Sequence, residues 1–291
     1  MQLSFIIGFV VAIGCTIGGF VGAGGHLAVL VEAAPLEMLI MGGTAAGGYI
    51  IGNPARVKKG VKKGMRFLFQ KPKFTKESYI ELLSLQYQMF KLAKTKGMLA
   101  LEAHVENPEE SSIFQEFPGF LANHHAVEFF CDYLRLFTLG ADKPYEIEAL
   151  MDEELEVHHS EDEAVVGALQ TLADGMPAIG IVACVLGVIH TMGAIAEPPE
   201  VLGRLIGGAL VGTFMGVWTS YGVVGPISVC VKGGLEAEAR YLQCLKTGML
   251  AHLQGFAPSI SVEYARKALL TDVRPSFSEV EEATQALSAP S

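Results

Sequence analysis

Asp, Glu, Lys and Arg are absent from residues 1–31, and the chain carries four apolar stretches in all, near Leu3–Val21, Leu36–Ile51, Met176–Ile195 and Leu205–Val231. Each supplies roughly 16 to 20 or more helical residues, about enough to cross a hydrocarbon core of ~30 Å. A soluble helix of that length would interleave charge with apolar residues at helical period. These stretches do not, so the bilayer sets the rules for the fold.

Charge is arranged in blocks. The 291-residue chain is 51% hydrophobic with a formal net charge of −10. Yet Arg56, Lys58, Lys59, Lys62, Lys63, Arg66, Lys71, Lys73 and Lys76 follow the second stretch with no acid until Glu77. Lys and Arg mark the cytoplasmic flank of a span. The connections Gly22–Pro35 and Ala196–Gly203 contain neither residue and are expected outside. Both termini then fall in the cytoplasm. The expected organisation is spans one and two over 1–53, a cytoplasmic helical domain over 54–174, spans three and four over 175–231, and a cytoplasmic tail over 232–291.

Helical periodicity supports this reading. Tyr79, Leu82, Leu83, Tyr87 and Phe90 recur at three- to four-residue spacing within Lys76–Leu101. Further helices are expected over Ser112–Leu139, Glu146–Glu156, Val231–Gly255 and Ile260–Leu270, and residues 286–291 read as unstructured. No stretch alternates with period two over a useful length, so the fold class is all-α: a four-span helical membrane protein with a large cytoplasmic insert and a C-terminal tail. The five cysteines show no disulfide or metal spacing. The N-terminus lacks a basic region and a cleavage site, so the first stretch reads as a retained span.

Glycines repeat every four residues at Gly14, Gly18 and Gly22, at Gly43 and Gly47, and at Gly208, Gly212 and Gly216. That spacing puts them on one helix face, where backbones can approach closely. Such faces serve either bundling within the chain or contact with other subunits. The last two spans hold no Asp, Glu, Lys or Arg in their cores, and ion passage through lipid ordinarily needs an ionisable group or a backbone filter. The sequence alone offers neither in evident form, so if the chain conducts, a partner must bring the titrating carboxylate. Pro177 and Pro226 lie at the cytoplasmic ends of the third and fourth spans, where each would free a carbonyl and bend its helix. Thr213 follows Arg204 by nine residues, about 13 Å of rise, near mid-membrane. Its hydroxyl either bonds back to its own helix or serves an ion.

Several stretches together carry a resemblance: Gly52-Asn53, Gly97 to Glu102, Glu106-Asn107-Pro108, Tyr145 to Glu154, Met176 to Val182, Val211 to Phe214, Tyr221 to Pro226 and Arg274 to Phe277. In these the chain resembles, end to end, the MotA family of flagellar stator subunits. The resemblance implies a ring, thought to be a pentamer, around two copies of a MotB-type subunit whose membrane aspartate carries the ion. It further implies that Pro177 and Pro226 couple ion passage to movement and that Thr213 faces the ion path. A basic and an acidic residue of the insert would engage the rotor protein FliG. Glu102 matches the acidic one, and Lys94 stands where many members have arginine, losing the bidentate fork. Glu154 matches a further acidic residue. Sodium-driven relatives tend to carry a threonine where this chain has Cys184. A thiol is a poor ligand for a hard cation, so protons are expected over sodium.

Other functions find less support. The run of acids and histidines from Glu153 to Glu163 has no tight ligand spacing, and no nucleophile elbow, phosphate loop or zinc-protease motif occurs. Neither enzyme activity, a metal nor a cofactor is expected. The basic block suits anionic lipid headgroups at the inner bacterial membrane better than nucleic acid. The rival readings are an energising subunit of the ExbB/TolQ class, which has three spans and an outside N-terminus, and a passive membrane scaffold.

Overall fold

The computed structural model describes residues 2–287, and helix is the regular secondary structure throughout them. The chain divides into two compact units, Met1–Lys71 with Glu161–Leu235, and Pro72–Ser160 with Glu236–Ser291. The division runs through two long helices rather than along the composition boundaries at 53, 174 and 231. The expectation of an unstructured end falls, for residues 288–291, outside the described residues.

The first unit holds α1 (Gln2–Gly22), α2 (Leu27–Gly52), α3 (Ala55–Gly64), α4 (Arg66–Phe69) and the later part of α10 (Pro144–Met192). It also holds α11 (Pro199–Thr219), a π turn over Ser220–Val224, and the start of α12 (Gly225–Leu253). Among the described residues four helical runs are long and apolar enough to cross a membrane: α1, α2, α10 and α11 continued by α12. The second of these corrects the sequence reading. Pro35 lies inside α2, which starts at Leu27 rather than Leu36. Proline is tolerated in a membrane helix, and the apolar run Leu27–Val31 extends the helix on its N-terminal side. The α1–α2 connection is therefore only Ala23–His26. It is closed by Gly24 at φ +84° and by a Gly25 N–H to Phe20 carbonyl bond of 2.9 Å.

Small residues set the packing of α2, α10 and α11. A Cβ on Gly216 would lie 2.8 Å from the Gly180 Cα and 2.8 Å from the Met176 carbonyl oxygen, so α10 and α11 touch backbone to backbone there. Gly187 meets Ala209 in the same manner one turn and more along. On the other side of α11, Gly207 and Gly208 face Val29 and Ala33 of α2. The glycine series on α11 thus serves packing within the chain. Those at Gly14, Gly18 and Gly22 and at Gly43 and Gly47 meet nothing within 4 Å among the described residues. The basic helix α3 buries Val57 and Gly64, with Gly60 against Val165 and Gly64 against Val231, and leaves Arg56, Lys59, Lys62 and Lys63 exposed.

The second unit comprises α5 (Lys76–Lys96), a 3-10 turn over Met98–Leu101, α6 (Glu102–Glu106), α7 (Ser112–Gln115), α8 (Pro118–Leu121) and α9 (His124–Thr138). The first part of α10, the end of α12, α13 (Pro258–Lys267) and α14 (Phe277–Gln285) complete it. Helix α5 lies at its centre against α7, α8, α13 and α14. Leu82, Leu83, Leu85, Met89 and Phe90 on it are fully buried, packed with Phe114, Phe120 and Phe130. Burying a side chain of this size is worth about 1.5–3 kcal/mol, so this aromatic cluster provides the main driving force for the unit. Polar ties fix its register: the Gln86 side-chain amide donates to the Leu245 carbonyl at 2.9 Å, and the buried Lys246 ammonium pairs with Asp152. A capping box at Ser276 and Glu279 starts α14, and Lys76 reaches Glu279 at 2.5 Å.

Candidate functional site

The residues singled out from the sequence fall into two groups, one in each unit. In the first unit the prolines come first. Pro177 sits inside α10 and has no N–H, so the Ala173 carbonyl four residues earlier loses its helical partner. The Ser220 hydroxyl fills that vacancy, donating to the Ala173 oxygen at 2.7 Å in a buried position. Ser220 opens the π turn, in which the Gly225 N–H bonds to the Ser220 carbonyl, five residues back. Pro226 follows directly, as the second residue of α12. The expected disturbance of the fourth span at Pro226 takes this form: widening one turn takes up the missing N–H and the ring of Pro226. Ser220 thus links the Pro177 vacancy to the π turn that precedes Pro226, and the sequence analysis did not single it out.

That link predicts a measurable loss. Ser220→Ala leaves the Ala173 carbonyl buried and unpaired, a cost of about 1–3 kcal/mol. Membrane-extracted Ser220→Ala protein should melt several degrees below the parent, and Ser220→Thr should restore most of the difference.

About two turns along α10 and α11 lies the second feature of this unit. Cys184 is half-buried, and its backbone nitrogen is 3.1 Å from the place a Gly212 Cβ would occupy. Thr213 follows Gly212 and is half-buried. Thr191 bonds back to the Gly187 carbonyl at 2.9 Å, whereas among the described residues Thr213 makes no side-chain hydrogen bond. Its hydroxyl therefore keeps both a donor and lone pairs for a ligand.

One expectation fails here. The chain does carry an ionisable group at depth: Glu37, on α2, is 7% exposed and its carboxylate reaches the Gly212 and Gly187 backbones. It escaped the sequence reading because the second stretch was started at Leu36, which left Glu37 at an edge. With α2 beginning at Leu27, Glu37 is its eleventh residue, about 15 Å from that end.

In the second unit, Lys94 and Glu102 do not share a helix. Gly97, at φ +88°, ends α5, and the 3-10 turn intervenes before Glu102 opens α6. Eight-residue spacing places two side chains on one face only along a continuous helix, and an αL-type glycine ends that continuity. Lys94 donates from Nζ to the Gly255 carbonyl at 3.3 Å, while Glu102 is exposed. Glu154 is engaged internally: it accepts a 2.7 Å bond from the Tyr133 hydroxyl and lies 3.9 Å from His158 Nε2. Of the three, Glu102 is the exposed carboxylate without an internal partner. His125 and His158, from the histidine runs, meet at 3.1 Å, but no group of three or more metal-ligating side chains occurs among the described residues.

Two family models match the chain: Motility protein A N-terminal over residues 6–97, and the MotA/TolQ/ExbB proton channel family over residues 122–243. The chain is 41% identical to Motility protein A of Salmonella typhimurium, over 98% of this chain and 96% of that protein. It is 40% identical to Motility protein A of Escherichia coli over the same shares. A solved structure of C. jejuni MotAB shares the fold, with a TM-score of 0.75 and 20% identity over 94% of this chain and 97% of that one.

Proposed function

This chain belongs to the motility protein A family, and on that premise we propose that it is a stator subunit of the flagellar motor. With a MotB-type partner it forms an ion path through the inner membrane and converts proton flow into torque on the rotor. The observation that carries this reading is the crossing of α10 and α11, where Cys184, Gly212 and the unbonded hydroxyl of Thr213 come together. The proline pair lies two turns away on the same two helical runs.

Roles follow from that geometry. Thr213 offers its oxygen to the passing ion, and the partner's aspartate carries it. Pro177, Ser220 and Pro226 form the mobile joint: two helical runs that each lack one N–H bond bend at lower cost than regular ones. Cys184 leaves the path without a second hydroxyl oxygen, which favours protons over sodium. Self-association into a ring, a pentamer by resemblance, would use the glycine faces of α1 and α2 that stay open in the single chain. Both termini and the second unit lie in the cytoplasm, held there by the cations of α3. Glu102 meets positive charge on FliG. Lys94 contributes charge at the same end of the unit, and Glu154 acts by orienting Tyr133 and His158.

An ExbB/TolQ-type role is disfavoured because the model matching residues 6–97 is that of the motility protein A N-terminus, and the likeness to Motility protein A runs nearly full length. Deleting the gene should abolish swimming while filaments are still built. Thr213→Val or Pro177→Leu should do the same with protein present in the membrane at parental levels; normal motility of either removes it from the ion path. Glu102→Lys should lower torque several-fold without loss of assembly, and a compensating charge reversal on the rotor should restore part of it. Unchanged torque after the reversal takes Glu102 off the rotor surface.

A further inference from the structure

Glu37 is a buried ionisable group among the membrane-spanning helices, and the proposed function leaves its chemistry unused. It sits on α2 with Val29 and Ala33 at four-residue spacing, the face turned to α11. Its carboxylate lies in a notch between two helices, made by residues without side chains. A Cβ on Gly212 would come within 2.5 Å of Oε2, and one on Gly187 within 3.7 Å of Oε1. Oε2 is buried and has no hydrogen-bond partner among the described residues.

The position rules out the usual escapes for a membrane carboxylate. Ten residues separate it from the first residue of α2 and fifteen from the last, about 15 and 23 Å of helix. A glutamate side chain cannot snorkel that far. Counter-charge is also lacking. Arg204 is the sole Lys or Arg between residues 144 and 231, and it lies against Glu32 at 3.2 Å. On α10 the titratable groups of this stretch are Cys184, beside the notch, and His190; α11 presents Ala209, Gly212 and Thr213 at this level. An unpaired carboxylate at such a depth neutralises by binding a proton rather than holding its charge.

We propose that Glu37 is a proton-binding site carried by this subunit itself, next to the turn that bears Thr213. Loading converts a carboxylate and a hydronium into the acid and a water, and unloading reverses it. The site would hold a proton beside the path while the partner's carboxyl turns over. Its place in a conduction cycle rests on the stator reading; its protonation does not.

The test uses the full complex with its MotB-type partner in lipid vesicles, treated with dicyclohexylcarbodiimide, which modifies protonated carboxyls in apolar surroundings. Peptide mass mapping should find the adduct on Glu37, with its yield falling as the pH is raised. Glu37→Gln keeps the shape and removes the proton site, so the assembled complex should lose tenfold or more of its proton flux. Absence of the adduct on Glu37 while the partner's membrane carboxyl is labelled overturns the proposal. So does parental flux in Glu37→Gln. If the parental complex conducts nothing, the stator reading fails, and labelling of Glu37 is still decided by its own readout.

Discussion

Gly216→Val is expected to abolish accumulation of folded protein in the membrane. A Cβ there would stand 2.8 Å from both the Gly180 Cα and the Met176 carbonyl oxygen. Those are backbone atoms of a continuous helix, which cannot swing aside as a side-chain tip can. Overpacking a tight core costs about 1–3 kcal/mol when side chains can yield, and here the helices themselves must part. Their separation would also pull Ser220 from the Ala173 carbonyl, adding a buried unpaired oxygen. Gly14→Val provides the contrast, because a Cβ there meets nothing within 4 Å among the described residues. The Gly14 variant should fold as a subunit like the parent, and any defect should appear in the size of the assembled complex. Membrane abundance and thermal melting in detergent measure the first effect, and native mass measures the second. A Gly216→Val protein that accumulates and melts like the parent would show that the α10–α11 crossing is not held by backbone contact.

Much of this architecture is legible in the residues because bilayer rules are strict. Four apolar runs, a basic block after the second and glycines at four-residue spacing give the span number and the all-α class without any long-range information. What escapes is of two kinds. Helix limits at proline are ambiguous, since the same residue starts a soluble helix and sits inside a membrane one. Pro35 is of the second sort, and the error carried Glu37 with it. A signal was present: Val29, Ala33 and Glu37 keep one helical face across the proline. Contacts distant in the chain are the other kind. Each of Pro177 and Pro226 points to a freed carbonyl, but nothing local says that Ser220, 47 residues from Ala173, satisfies the first. In the second unit Gly97 does announce the break between Lys94 and Glu102, whereas the engagement of Glu154 by Tyr133 needs the packing of α9 on α10 to be known.

Acid should destabilise the second unit well before its carboxylates titrate, and His252 should be the main cause. The imidazole lies in the last turn of α12, 6% exposed and stacked on Phe90 with ring centres 4.5 Å apart. Neither ring nitrogen has a hydrogen-bond partner among the described residues. Burial, assisted by the nearby Lys94 ammonium, lowers its pKa from 6.5 to about 4. Below pH 6.5 the unfolded chain takes up a proton that the folded one refuses, so stability falls as the pH drops towards 4 and the penalty is fully developed beneath that. At about 1.4 kcal/mol per pKa unit the loss comes to about 3 kcal/mol. His104, also lowered by burial, adds a contribution of the same sign. Glu263 and Glu279 are held below the ordinary carboxylate range by Arg266 and Lys76 respectively, so their losses begin only under pH 4.5. The window from 6.5 to 4.5 therefore isolates the histidines. His252→Leu removes both unpaired nitrogens and should flatten the melting profile across that window, leaving the smaller slope of His104. Lys94→Glu should raise the proton affinity of His252, so that the fall still begins near pH 6.5 but levels off at a higher pH and is smaller than in the parent. Melting curves of the three proteins at matched pH test this, and a parental slope retained in His252→Leu would exclude the histidine as the sensor. The same curves decide how a torque defect in Lys94→Glu is interpreted, since a change at the rotor surface leaves the melting profile where it was.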